Sequence, residues 1–105
     1  MLHKSNAQVR VYRDPEELAL KAARLFARLA DQYVLGCGRF TVALSGGSTP
    51  RDTYLRLGTE ALVSKVTWSR VQVLWGDERC VPPHNEESNY RMAREALLDR
   101  VPVPA

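Results

Sequence analysis

Long hydrophobic runs are missing from this chain of 105 residues: none approaches the roughly 20 apolar residues needed to cross a bilayer. The opening Met1-Leu2-His3-Lys4-Ser5-Asn6 also lacks the apolar core of a secretory signal. The two absences predict a cytoplasmic protein with no membrane partner. Cysteine is scarce as well. Cys37 and Cys80 stand far apart, in neither a metal-ligand spacing nor a redox pair, so no disulfide and no zinc or other metal is expected. Charge of one sign is not in excess, with 15 basic against 12 acidic residues and a net charge of +3. The basic residues are scattered, with no cluster long enough to follow a nucleic-acid backbone, which argues against nucleic acid as a partner and leaves a small anionic substrate compatible. Internal repeats and low-complexity tracts are absent too. At 45% hydrophobic and 26% charged residues, the chain has the make-up of one small globular domain.

What is present reads as alternating strands and helices. Val9-Arg10-Val11-Tyr12 alternates like a short strand, and Asp14-Pro15-Glu16-Glu17 combines an N-cap, a first-turn proline and a glutamate three positions after the cap. The helix that starts there carries Leu18, Ala22, Leu25, Phe26, Leu29 and Tyr33 at helical spacing, with Gly36 placed to end it. A buried-type strand over 39–44 follows, then a helix from about Pro50 to Leu57 closed by Gly58. Residues 59–70 predict a second short helical piece and a loop, with Trp68 anchored at the core's edge. Val71-Gln72-Val73-Leu74-Trp75 is a second buried-type strand. Ser88 is placed to cap a last helix over Asn89 to Asp99 with Met92, Ala93, Ala96 and Leu97 inward. Such alternation predicts an α/β fold with a parallel sheet.

Two polar segments leave the carboxyl ends of the two strongest strands. In the first, Ser45-Gly46-Gly47-Ser48-Thr49-Pro50, the glycines permit backbone angles that other residues resist. Ser-Thr-Pro supplies a helix cap with proline at the first helical position. Free N–H groups of a first helical turn, the positive end of the helix dipole and the hydroxyls of Ser45, Ser48 and Thr49 suit a phosphate or carboxylate. An ordinary turn between strand and capped helix would use the same residues. The segment has neither the lysine of the P-loop nor the three-glycine dinucleotide spacing, so ATP and NAD are not suggested.

The second segment, Gly76-Asp77-Glu78-Arg79, offers two acids and a guanidinium just past a glycine. Arg79 is suited to clamp an anion or to stabilise charge developing on an attacked carbonyl oxygen, and Asp77 to orient a hydroxyl or water. A surface loop with a local ion pair is the competing account. Glu78, pointing away from its neighbours, is assigned to structure. His84 sits in a Pro-rich polar loop and reads as a solvated histidine, while His3 lies in the terminus. Because ligands of parallel sheets bind beyond the carboxyl ends of the strands, both segments are expected on one rim.

Taken together, Ser45-Gly46-Gly47-Ser48-Thr49-Pro50, Trp75-Gly76-Asp77-Glu78-Arg79-Cys80-Val81-Pro82 and Glu87-Ser88-Asn89-Tyr90-Arg91-Met92 resemble, in order and spacing, the phosphate loop, the Asp-Glu-Arg loop and the Ser-Asn helix start of the 6-phosphogluconolactonases. The resemblance implies a Rossmann-like three-layer αβα fold with a mainly parallel sheet. It implies hydrolysis of 6-phosphogluconolactone to 6-phosphogluconate in the pentose phosphate pathway, with a sugar phosphate as substrate and no cofactor. By the same likeness Ser45, Gly46, Gly47, Ser48, Thr49 and Asn89 would bind substrate or phosphate, and Asp77 and Arg79 would act in catalysis. Family members are considerably longer, and their second half carries an Asp-Gly-His segment that supplies the general base. Nothing here matches it. The expectation is therefore that residues 1–105 are the N-terminal part of a single lactonase/isomerase-like domain, inactive alone and prone to self-association along uncovered sheet. Two alternatives stand beside it: an isomerase or deaminase of the glucosamine-6-phosphate type, with Asp77 as a true base, and a non-catalytic sugar-phosphate-binding module.

Overall fold

The computed structural model describes residues 9–76, 78 and 81–104. In chain order it places helix α1 (Pro15–Cys37), strand β1 (Phe40–Leu44), helix α2 (Ser48–Leu57), a short helix α3 (Glu60–Val63), a 3₁₀ turn (Trp68–Arg70), strand β2 (Val71–Trp75), helix α4 (Asn89–Ala96) and a second 3₁₀ turn (Leu98–Arg100). The α/β fold is as expected. β1 and β2 are parallel neighbours, with Phe40 opposite Val71 and Leu44 opposite Trp75.

Period-2 patterning sets the sheet's orientation. Phe40, Val42 and Leu44 face the core with Val71, Val73 and Trp75, against the inward residues of α1, α2 and α4. Thr41, Ala43, Gln72 and Leu74 lie on the other face and are exposed, Leu74 by 57%. Leu57, Val71 and Leu97 are sealed from solvent, each such side chain contributing ~1.5–3 kcal/mol. Phe26 meets Phe40 edge-on at 5.3 Å and stacks on Trp68 at 6.0 Å between ring centroids. Trp68 is held further by its indole N–H, which donates to the Val63 carbonyl at 2.9 Å.

Local signals place the helix starts well. Asp14 caps α1, its carboxylate accepting from the Glu17 N–H at 2.8 Å, and Ser88 caps α4, accepting from the Arg91 N–H. Other local expectations give way to tertiary packing. Val9–Tyr12 forms no strand; Val9 and Val11 are 87% and 90% exposed, since strand propensity has no effect without an edge to pair with. The most buried stripe of α1 is Ala19, Ala23, Ala27 and Ala30; of the larger apolar set, Phe26 and Leu29 pack against the core as expected, while Leu18, Leu25 and Tyr33 remain exposed. Alanines let α1 approach α2 and β1 closely, and the bulky residues then cover the flanks. α1 also runs past Gly36 to Cys37 and ends at Gly38, whose φ of 80° is the left-handed cap that glycine favours. α4 stops at Ala96 and turns into the 3₁₀ segment, which leaves Leu97 buried.

Candidate active site

The expected rim exists at the carboxyl ends of β1 and β2. The Gly76 N–H donates to the Leu44 carbonyl at 3.0 Å, which extends the ladder by one bond and holds the two loops side by side as they leave the sheet.

In the first loop the two glycines have different reasons to be glycine. Gly47, the N-cap of α2, has φ 108° and ψ 168°, a region open essentially to glycine alone. Gly46 has no positive φ. Its requirement is space, because a Cβ there would overlap the Asn89 side chain, with Cγ at 2.5 Å and Nδ2 at 2.8 Å. Helix α2 begins at Ser48, two residues earlier than the proline suggested, so Ser48 and Thr49 are its first two residues and Pro50 its third. No side chain caps this N-terminus. Pro50 carries no N–H. The backbone donors of the first turn, at the positive end of the helix dipole, therefore come from Ser48 and Thr49, both exposed.

Ser45 is held by a residue the sequence did not single out. The Tyr54 hydroxyl, reaching back from α2, accepts from the Ser45 N–H at 3.0 Å and donates to the Ser45 carbonyl at 2.8 Å. Both backbone groups are thus engaged, and Ser45 offers a ligand its side chain only. Burial pushes the Tyr54 phenol above its ordinary value of 10.0, against a smaller opposing effect of the Ser45 backbone hydrogen bond. A tyrosine on the inward face of a helix that follows a polar loop was the available signal, since its hydroxyl must find a partner when buried.

The second loop is held from α4. Glu78 accepts from the Asn89 N–H at 2.7 Å, the Tyr90 N–H at 2.8 Å and the Ser88 hydroxyl at 3.0 Å. A carboxylate on the orphan donors of a helix start is favoured by charge-assisted hydrogen bonds and by the dipole. The structural assignment of Glu78 is thereby given a specific form: it braces the loop. It also fixes the backbone of Asn89, which is 5% exposed and seats its side chain over Gly46. One chain of contacts runs from Glu78 through Asn89 to the glycine loop. Trp75 adds an edge-on contact with Tyr90 at 5.6 Å.

Of the expected site residues, Ser45, Gly46, Gly47, Ser48, Thr49 and Asn89 thus come together at one rim. Asp77 and Arg79 lie outside the described residues, as do Cys80 and His3. His84 is exposed in a turn, its carbonyl accepting from Arg91 Nη1 at 2.8 Å. Among the described residues no three His, Cys, Asp or Glu side chains are grouped as metal ligands, and no helix is long and apolar enough to cross a membrane.

Residues 13–105 match the family described as glucosamine-6-phosphate isomerases/6-phosphogluconolactonase. A 6-phosphogluconolactonase from Nostoc sp. is 42% identical over 97 residues, which is 92% of this chain and 39% of that protein. A probable chloroplastic 6-phosphogluconolactonase 3 from Oryza sativa is 47% identical over 94 residues, 88% of this chain and 28% of that protein. The solved structure of 6-phosphogluconolactonase from Trypanosoma brucei aligns with a TM-score of 0.77 at 36% identity, over 89% of this chain and 35% of that one. The chain therefore spans well under half the length of these relatives. With a match that takes in both rim loops and every described element, the chain belongs to the glucosamine-6-phosphate isomerase/6-phosphogluconolactonase family.

Proposed function

We propose that this chain is the sugar-phosphate-binding part of a cytoplasmic 6-phosphogluconolactonase, and that residues 1–105 form the N-terminal part of a single α/β domain. The reaction is hydrolysis of 6-phosphogluconolactone to 6-phosphogluconate, a step of the pentose phosphate pathway. The names of the relatives supply the substrate. The observation that carries the reading is the rim itself: the loop over 45–49 and the loop after Trp75 leave register-paired strand ends, joined by Asn89 on Gly46. In this reading the uncapped start of α2 takes the phosphate through the N–H groups of Ser48 and Thr49 and their hydroxyls. The sugar then lies toward the segment after Gly76, in whose sequence Asp77 and Arg79 stand.

In the hydrolysis, water adds to the lactone carbonyl, charge develops on its oxygen, and the ring C–O bond breaks as the ring oxygen takes a proton. Arg79 meets the developing oxyanion and Asp77 orients the water. The described residues supply binding and orientation. None of them is placed as a base for water: His84 is in an exposed turn and Glu78 is committed to the start of α4. The 105-residue chain is accordingly expected to bind 6-phosphogluconate without turning over the lactone, and His84→Ala to change neither property. The bare sheet face predicts concentration-dependent association of this chain in sedimentation.

Calorimetric titration with 6-phosphogluconate tests the reading. Gly47→Val, which imposes a side chain at φ 108°, is expected to weaken binding by about tenfold or more, equivalent to ~1.4 kcal/mol, with glucosamine 6-phosphate binding less tightly than 6-phosphogluconate to the parent chain. Unchanged affinity in a folded Gly47→Val variant would remove the glycine loop from the site.

A further inference from the structure

Away from the rim, an open cavity of about 650 Å³ lies between the N-terminal segment, α1 and α3 with the turn that follows it. Its cations are Arg10, Lys21, Arg24, Arg28 and Lys65, and the one carboxylate on its described lining is Asp31. Three of the cations are stacked on α1 at positions i, i+3 and i+7, where successive side chains are neighbours and like charges repel. Elsewhere among the described residues, arginines are matched with a carboxylate: Arg13 with Glu17 at 2.7 Å, Arg91 with Glu95 at 2.8 Å, Arg94 with Asp99 at 3.4 Å. Among the described residues, Lys21, Arg24, Arg28 and Lys65 have no such partner. Positive charge is thus concentrated around one concavity, with a single carboxylate on its described lining.

We propose that this cavity binds a small polyphosphate anion, a chain of two or three linked phosphates, either inorganic or carried by a nucleoside. Three features select that chemistry. Cations from three separate chain segments converge on one space, as needed to hold several adjacent negative charges at once. The volume falls within the range of small-molecule sites and is limited in extent, so it fits a compact ligand better than a nucleic-acid strand. The lining also includes Tyr12, Leu25 and Leu62, an apolar patch on which a nucleoside base can rest. None of these residues belongs to the rim loops, so the inference stands independently of the lactonase reading.

The test is calorimetric titration of the 105-residue chain with inorganic tripolyphosphate, ATP, inorganic phosphate and adenosine, at about 0.15 M salt, where the Debye length of ~8 Å screens scattered surface charges. Saturable one-to-one binding of both polyphosphates is expected, with inorganic phosphate and adenosine much weaker. ATP binding more tightly than tripolyphosphate assigns a role to the apolar patch, and equal binding assigns the site to the phosphate chain alone. Arg24→Gln/Arg28→Gln, which keeps good helix formers on exposed positions, should weaken binding about tenfold or more. Lys65→Gln, on a different element, should also weaken it. Arg56→Gln on α2, outside the cavity, should leave it unchanged. The proposal is overturned by a lack of saturable binding, by binding that survives the double substitution in a folded protein, by an equal loss in Arg56→Gln, or by a loss confined to Gly47→Val, which would assign the anion to the rim loop.

Discussion

Replacing Gly46 by alanine isolates the contact that joins the glycine loop to α4. The backbone of Gly46 has no positive φ, so alanine meets no conformational penalty of the kind expected at Gly47. What it meets is Asn89, with Cγ 2.5 Å and Nδ2 2.8 Å from the new Cβ, against ~3.5–4.0 Å for unstrained carbon contacts. The Asn89 side chain has to retreat by about an ångström to restore that spacing, yet it is 5% exposed and its backbone is held by Glu78 at 2.7 Å. Overpacking of this kind costs ~1–3 kcal/mol. Asn89→Ala alone sacrifices the buried amide and its contacts, worth ~1–2 kcal/mol. In the double variant the methyl introduced at position 46 enters the space vacated by the amide, so the combined loss should fall short of the sum by ~1–2 kcal/mol, as expected for residues in contact. Urea unfolding of the four proteins at neutral pH measures this coupling, and titration with 6-phosphogluconate shows whether binding follows it. Losses that add to within about 0.5 kcal/mol would mean that Gly46 and Asn89 do not share space, and the bridge between the loops would have to be abandoned.

The other predictions concern the supports of the site and the end of α1. Glu78→Ala strips the acceptor from the Asn89 and Tyr90 N–H groups and should lower stability by ~2–4 kcal/mol in denaturant unfolding, while Glu78→Gln, which keeps one acceptor oxygen, should lose about half as much; equal small losses would show that the brace is not made. Tyr54→Phe leaves both Ser45 backbone groups without their partner and should cost ~1–3 kcal/mol. Because burial raises the Tyr54 pKa, its contribution is fully present below the unfolded-state value near 10 and is lost as pH rises through the higher folded-state value. The parent should therefore lose stability in the alkaline range more steeply than Tyr54→Phe, and parallel pH profiles would contradict the assignment. Gly36→Ala, inside α1 with nothing within 4 Å, should stabilise by ~0.5–1 kcal/mol in thermal unfolding, whereas Gly38→Ala, at φ 80°, should destabilise by ~1 kcal/mol; the reverse order would move the helix end back to Gly36.

What could be read from the residues alone was whatever is settled within a few positions of chain. Asp14 and Ser88 cap the helices that follow them because a side-chain oxygen reaches an N–H three residues on. The apolar runs over 39–44 and 71–75 mark strands and the helical segment between them makes the pair parallel, but they read as buried on both sides, and only the structure shows one face exposed at Thr41, Ala43, Gln72 and Leu74. Glycine, hydroxyls and a helix start at 45–49 mark a candidate anion site because those groups act locally, and the three spaced motifs together mark the family. Tertiary structure decided what depends on a distant neighbour. Whether Val9–Tyr12 becomes a strand depends on an available edge, and which stripe of α1 is buried depends on how closely α2 and β1 approach it. Gly46 and Gly47 are indistinguishable in sequence. One is required by its own φ and the other by the position of Asn89, more than forty residues away. Tyr54 and Glu78 hold the two loops through hydrogen bonds that close only when α2 and α4 have docked. Chain-local chemistry thus determined which groups could bind an anion, and long-range packing, where desolvation makes each partner obligatory, determined which of them are held in place to do so.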